Sequence, residues 1–217
     1  MERPYAIFDM DGTLVDSMPY WARLTREYLE QQALSSEEIL ELEERVETLS
    51  LRESAALFQR ALGLGRSPET VALEMGDLMD RHYQHDIPLR TGVKDYLEKL
   101  RQEGTVLCVV TLTPTPLAWD CLARLGIADY FAFVLSADDA GTGKDDPRIF
   151  LQAAWQLGAH PAECAVFEDS HYAARAAREA GCFVVGIYEK THGEQWPRMK
   201  QICDVTVHNW AEALEFL

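Results

Sequence analysis

A short apolar run, Tyr5-Ala6-Ile7-Phe8, ends on two carboxylates, Asp9 and Asp11, and this junction constrains the fold more than any other stretch. The run reads as a buried first strand. Residues two apart in an extended chain point to the same side, so Asp9 and Asp11 emerge together. Two carboxylates at the end of a buried strand are costly unless a cation or a proton offsets them. Gly12 lets the backbone turn sharply, and Thr13-Leu14-Val15-Asp16 carries the chain away. On its own, Asp-Gly marks only a turn with Asp9 as a cap. A functional reading therefore needs partners from elsewhere in the chain.

After Asp16 the pattern becomes helical and stays so until about Pro88. Met18, Trp21, Leu24 and Tyr28 recur at helical spacing, as do Ile39, Leu42, Val46 and Leu49, and then Val71, Met75, Leu78 and His82. Ser36 with Glu38, and Ser67-Pro68, read as helix starts. No β-branched run intervenes, so residues 16–88 form an all-helical insertion of about four helices. The insertion holds no lysine and about twice as many carboxylates as arginines, mostly a solvated surface. His82 and His85, three apart, are expected on a solvated helix face rather than on a metal.

From Thr91-Gly92 onward, helices and apolar strands alternate. Strands are expected at residues 106–110, 133–135, 164–167 and 183–185, with an edge strand at 205–207. Helices are expected at 93–103, 114–125, 147–157 and 171–180, the second capped by Thr113, and a last one near Trp210. Continuous apolar strands alternating with helices specify an α/β fold, a doubly wound parallel Rossmann-like sheet. Residues 1–15 and 89–217 make this core, interrupted by the helical insertion at 16–88.

A chain of 217 residues, 47% apolar and 26% charged, is ordinary for a globular protein. A net charge of −16 argues against nucleic acid and anionic membrane as partners. No apolar run reaches membrane-spanning length, and the N-terminus lacks the pattern of a signal peptide, so a cytoplasmic location is expected. Five scattered cysteines without C-x-x-C spacing read as small buried hydrophobes, not disulfides or zinc ligands.

In doubly wound sheets ligands bind beyond the carboxyl ends of the strands, and the polar residues there form one set. The first strand ends in Asp9 and Asp11, the second in Thr111, and the fourth in Glu168-Asp169-Ser170. Lys144, before a helix, has the reach to join them. Singly, Thr111 is a strand-end hydroxyl, Lys144 a surface lysine and Glu168-Asp169-Ser170 a helix cap. Together they suit magnesium, which takes hard oxygen ligands, and a phosphoryl group, which needs donors and cations around its oxygens. Gly141-x-Gly143-Lys144 is not a P-loop, because the first glycine of that motif is missing and Asp145 follows the lysine.

Asp-Met-Asp-Gly-Thr-Leu-Val-Asp-Ser resembles the first motif of the haloacid dehalogenase-like superfamily of aspartate-dependent phosphatases. Thr111 matches its second motif, Lys144 its third, and Phe167-Glu168-Asp169-Ser170 its fourth. The insertion resembles the helical cap domain of the β-phosphoglucomutase-like branch. The resemblance implies that Asp9 attacks phosphorus to form an aspartyl-phosphate, and that Asp11 protonates the leaving oxygen and then activates water. It implies that Thr111 holds phosphoryl oxygens and that Lys144 keeps Asp9 ionised. Mg2+ would be held by Asp9, the Asp11 carbonyl and Asp169, with Glu168 directly or through water. Arg52 lies where the resembling mutases carry a phosphate-binding arginine.

Three positions depart from the family pattern. Leu112 stands where Asn or Ser follows the threonine, which makes Thr113 the candidate for the substrate-binding hydroxyl. Asp145 and Asp146 add two carboxylates beside Lys144, and Ala173 replaces a glycine. The resulting expectation is a magnesium-dependent phosphatase acting on a small phosphorylated metabolite, a monomer or weak homo-oligomer. A phosphosugar mutase is the alternative, and a non-catalytic phosphate-sensing protein a more distant one.

Overall fold

Apolar runs too short for helices have assembled into six parallel strands. They are β1 (Tyr5–Phe8), β2 (Val106–Thr111), β3 (Phe131–Ser136), β4 (Cys164–Glu168), β5 (Phe183–Ile187) and β6 (Val205–Val207), in the order β3-β2-β1-β4-β5-β6. This computed structural model describes residues 3–46 and 49–215. The chain winds outward from β1 through β2 to β3, then returns to lay β4 on the other side of β1. That reversal leaves a crevice at the carboxyl end of β1, where doubly wound sheets bind ligands. Register makes the crevice polar. Phe8 lies beside Val109 on β2 and Phe167 on β4, so Asp9 comes level with the ends of both neighbours. The Asp9 N–H continues the ladder, donating to the Phe167 carbonyl at 2.9 Å.

Around the sheet lie α5 (Val93–Gln102), α6 (Thr115–Arg124), α7 (Ala137–Ala140), α8 (Arg148–Leu157), α9 (His171–Glu179), α10 (Trp196–Ile202) and α11 (Trp210–Leu214). Preceding them in the chain are α1 (Met18–Glu30), α2 (Ser36–Val46), α3 (Leu51–Ala61) and α4 (Pro68–His85). On one sheet face Phe8 and Phe167 stack with centroids 4.5 Å apart, and Tyr96 of α5 and Trp210 of α11 close over them. On the other, Ile7, Val110 and Val166 meet Ile149 and Phe150 of α8 and four alanines of α9. Those small side chains bring α9 close to the sheet. Cys108, Cys164 and Cys182 belong to this layer, and burial pushes their thiols up, to about 12 for Cys182. They are packing residues, and no disulfide forms. Gly186 on β5 is required where it stands, because a Cβ there would meet the Cys203 sulfur at 2.9 Å.

The chain divides into two compact units, Met1–Ser17 with Ile87–Leu217, and Met18–Asp86. In the first, the strands entering and leaving the insertion lie side by side. Val15 bridges Leu89, the Asp16 N–H donates to Pro88, and the Arg90 N–H donates to Leu14. The second unit comprises the helices α1 to α4. Its core is Leu24, Tyr28, Ile39, Phe58, Val71 and Met75, and Arg66 links α1 to α4 through Tyr28, Gln32 and Glu74. A groove of about 630 Å³ in this unit is lined by Trp21, Leu40, Glu43, Leu49, Leu51 and Met75 among others. No helix among the described residues is long and apolar enough to cross a membrane.

α2 starts at Ser36 as expected, and the residue before it supplies the cap, Ser35 and Glu38 bonding reciprocally. Other local expectations need correction. Thr113 does not cap α6; Pro114 holds that position, and the Thr113 hydroxyl is used elsewhere. His82 is not solvated. Its side chain is 16% exposed, and its two ring nitrogens each lie 2.7 Å from a carboxylate, Glu27 on α1 and Asp86 at the end of α4.

Candidate active site

Three segments distant in sequence deliver four charged side chains to the carboxyl end of β1. Asp9 follows β1 directly, Glu168 ends β4, and Asp169 begins the turn into α9. Lys144 arrives from the loop between α7 and α8. That loop is held at both ends: Gly141 closes α7 with φ of 65°, and Asp146 accepts from the Arg148 N–H at 2.9 Å to start α8. Asp145 folds back over Gly143, its Oδ1 2.5 Å from where a side chain at 143 would begin. Asp146 is paired with the Arg148 guanidinium at 2.6 Å, which holds its carboxyl down at about 2. Asp146, flanking Lys144 in sequence, is thus spoken for by its own partner.

The Lys144 ammonium donates to Asp9 Oδ1 at 2.5 Å and pairs with Glu168 Oε1. All three are buried, as is Asp169. The second Glu168 oxygen accepts from both the N–H and the hydroxyl of Ser170, each at 2.9 Å. Glu168 thus has one oxygen on Ser170 and turns the other to the Lys144 ammonium and the carboxylate cluster. Burial opposes charge on Lys144, but Asp9 and Glu168 outweigh it and hold the ammonium above the ordinary lysine value. Burial raises the Asp9 carboxyl well above the usual aspartate range; Lys144 pulls the other way, while Glu168, Asp169 and Asp11 add to the rise. One ammonium among this many carboxylates leaves a deficit of positive charge.

A metal ion fits that deficit. One carboxylate oxygen each from Asp9, Glu168 and Asp169 lies within 4.8 Å of the others, so the buried cluster can hold a cation. Asp9 Oδ2 is buried without a hydrogen-bond partner, a state whose desolvation cost calls for a ligand.

Around this cluster stand the hydroxyls. Thr111, fully buried at the end of β2, accepts from the Thr113 N–H at 3.0 Å. The Thr113 hydroxyl donates to Asp11 Oδ2 at 2.7 Å, so its contact is the second carboxylate of the first motif. Gly12, with φ of 79°, makes the turn that separates Asp11 from the departing chain. Arg52 is exposed in the first turn of α3, in the helical unit. Leu112, after Thr111, is half exposed, and Ala173 is buried in α9 against the sheet.

One neighbour had no signal in the sequence. His192 Nδ1 lies 2.9 Å from Asp169 Oδ2. The residue sits in a 3-10 turn, Lys190–Gln195, with no periodicity or motif to single it out. Its hydrogen bond with Asp169 raises its pKa above the ordinary histidine value despite partial burial, and the same bond opposes the upward push of burial on Asp169.

Known proteins resemble the chain as a whole. The model of the haloacid dehalogenase-like hydrolases matches residues 5–181. A phosphoglycolate phosphatase of Pectobacterium atrosepticum is 33% identical over 86% of this chain and 81% of its own. A phosphorylated carbohydrates phosphatase of Thermotoga maritima is 30% identical over 86% of this chain and 84% of its own. The crystal structure of a putative beta-phosphoglucomutase from Thermotoga maritima superposes with a TM-score of 0.82, 26% identity and full coverage of both chains. The chain belongs to the haloacid dehalogenase-like hydrolase family. Within it, the chain is a phosphoric monoester hydrolase.

Proposed function

We propose that this enzyme is a magnesium-dependent phosphatase of small phosphorylated metabolites that works through an aspartyl-phosphate on Asp9. The observation that carries the reading is the buried Asp9, tied by one oxygen to Lys144 and left unpartnered at the other. The Asp9 carboxylate attacks phosphorus in line with the leaving oxygen. Asp11, oriented by the Thr113 hydroxyl, donates its proton to that oxygen, then takes one from the water that cleaves the acyl phosphate. Thr111 and loop N–H groups bind the transferring oxygens, and Lys144 orients Asp9 while offsetting charge on the phosphoryl group. Asp9, Asp169 and the Asp11 carbonyl would hold Mg2+, with Glu168 anchoring Lys144 and meeting the ion directly or through water. An ion held there would supply the positive charge that offsets the nucleophile and the phosphoryl oxygens. The helical unit acts as a cap that selects the leaving group and excludes water.

The likeness to a putative beta-phosphoglucomutase favours a second reading, phosphosugar isomerisation. A mutase must grip a second phosphate, which calls for cations outside the crevice. In the helical unit Arg52 is the one placed by resemblance for that work, and the unit has no lysine. Net phosphate release is therefore expected.

One experiment decides both. A panel including 2-phosphoglycolate and hexose phosphates is incubated with Mg2+ or with chelator, followed by phosphate assay, by NMR for isomers, and by mass spectrometry of acid-quenched enzyme. Magnesium-dependent phosphate release with a phosphoryl group on Asp9 is expected. Full activity in chelator, or an unmodified Asp9 during turnover, refutes the mechanism. Isomer exchange faster than phosphate release establishes the mutase instead.

A further inference from the structure

We infer that His192 is a positioning residue of the metal site, fixing the Asp169 carboxylate so that one of its oxygens is committed to the cation. This rests on the reading above, in which Asp169 holds Mg2+. The ionised Asp169 can only accept hydrogen bonds, so the Nδ1–H of His192 donates to Oδ2 at 2.9 Å and leaves the other oxygen to the cluster. A carboxylate on a short turn can swing about its side-chain torsions. A donor locked on one oxygen removes that freedom before the ion arrives, as outer partners of metal ligands do generally.

The locking is effective only if His192 is itself held, and the structure supplies the means. The turn that carries it is capped by Glu189, whose carboxylate accepts from the Thr191 N–H at 3.1 Å and the Thr191 hydroxyl at 3.2 Å. Glu189 is buried and faces the Arg90 guanidinium at 3.4 Å. Arg90 donates to the Tyr188 carbonyl at 2.8 Å and to the carbonyl of Gly12. One guanidinium therefore ties the turn bearing His192 to the loop bearing Asp9 and Asp11.

The test is calorimetric titration of Mg2+ into metal-free wild type, Asp169→Ala, His192→Leu and His192→Asn, without substrate. In the Asn variant the side-chain Nδ2 takes the place of imidazole Nδ1, so the donor is kept. His192→Leu is expected to bind Mg2+ about 10–100-fold more weakly, and His192→Asn to recover within about threefold of wild type. At saturating Mg2+ the Leu variant should keep kcat within about twofold, since the residue touches no reacting atom. Should His192→Leu fail to fold, 15N-histidine spectra of the wild type decide: the His192 ring signals must shift along the Mg2+ isotherm. Affinity in His192→Leu equal to wild type, or ring signals that ignore Mg2+, overturns the inference alone. Binding that is absent from wild type, or undiminished in Asp169→Ala, overturns the metal reading itself.

Discussion

Replacing Lys144 by methionine and Asp9 by asparagine should move the stability of the metal-free protein in different directions. Lys144 is a buried ammonium held by Asp9 at 2.5 Å and by Glu168. The methionine variant keeps the volume but leaves Asp9, Glu168 and Asp169 facing one another without a cation. Removing one partner of a buried pair costs about 3–5 kcal/mol. For a protein of this size that corresponds to a Tm lower by roughly 6–20 °C. Asp9→Asn does the reverse. It removes a charge whose protonation burial already favours, and the amide oxygen can still accept from Lys144. Because the folded-state pKa of Asp9 is raised, its contribution to stability is complete below about pH 4 and is lost as pH rises through the folded value. Asp9→Asn escapes that loss, so its metal-free stability should gain on wild type as pH rises from about 4 through the raised folded value. Urea unfolding and thermal scans in chelator measure both. Saturating Mg2+, at about 100 times its Kd, should stabilise wild type by about 2.7 kcal/mol and Asp9→Asn far less. If Asp9→Asn in chelator loses as much as Lys144→Met, or if Lys144→Met costs under about 1 kcal/mol, the charge imbalance described here is not what the cluster feels.

Two further outcomes follow from contacts outside the cluster. Both ring nitrogens of His82 face carboxylates, and only the imidazolium has two N–H groups to give; its pKa is accordingly raised, the pairings with Glu27 and Asp86 outweighing burial. The resulting stability is present below about pH 6.5 and lost as pH rises through the raised value, so His82→Gln should cost about 1 kcal/mol at pH 6 and much less at pH 9; a cost independent of pH refutes this. Thr113→Val should lower kcat roughly tenfold with KM within about twofold, because the hydroxyl donates to Asp11; a raised KM with unchanged kcat would return Thr113 to the substrate.

The strand ends were readable because two simple periodicities and a topological rule sufficed. Apolar runs located β1, β2, β4 and β5, the parallel order placed their carboxyl ends together, and the residues just beyond them were polar. Lys144 was readable as a candidate by its reach, and its role came only with the resemblance to a motif, since it meets Asp9 across 135 residues. His192 was not readable at all. It lies in a short 3-10 turn whose place is set by Glu189 and Arg90, a contact between segments about 100 residues apart that no local pattern encodes. The helix α10 was missed because seven residues are too few to display a period. His82 was misjudged for a related reason: Asp86 is a legible i,i+4 neighbour, but Glu27 comes from another helix. Thr113 was misread as a cap because proline follows it, and the tertiary contact to Asp11 took its hydroxyl instead.

The division of labour between backbone and side chains explains why the family motif tolerates the departures seen here. Strand register alone brings Asp9 level with the ends of β2 and β4, and register depends on the apolar residues of β1, β2 and β4, none of which is altered by Leu112, Asp145, Asp146 or Ala173. Leu112 points to solvent, while the hydroxyl expected in its neighbourhood comes from Thr113, one residue later, and engages Asp11. Asp146 is neutralised by Arg148, two residues on, so the extra charge it places beside Lys144 has a partner within its own turn. Ala173 adds one methyl group where α9 already packs through alanines. What cannot be substituted in this way is the balance inside the crevice, where one lysine answers for several buried carboxylates. A change there has no neighbour to absorb it, and for that reason metal-free stability is as direct a readout of this site as turnover.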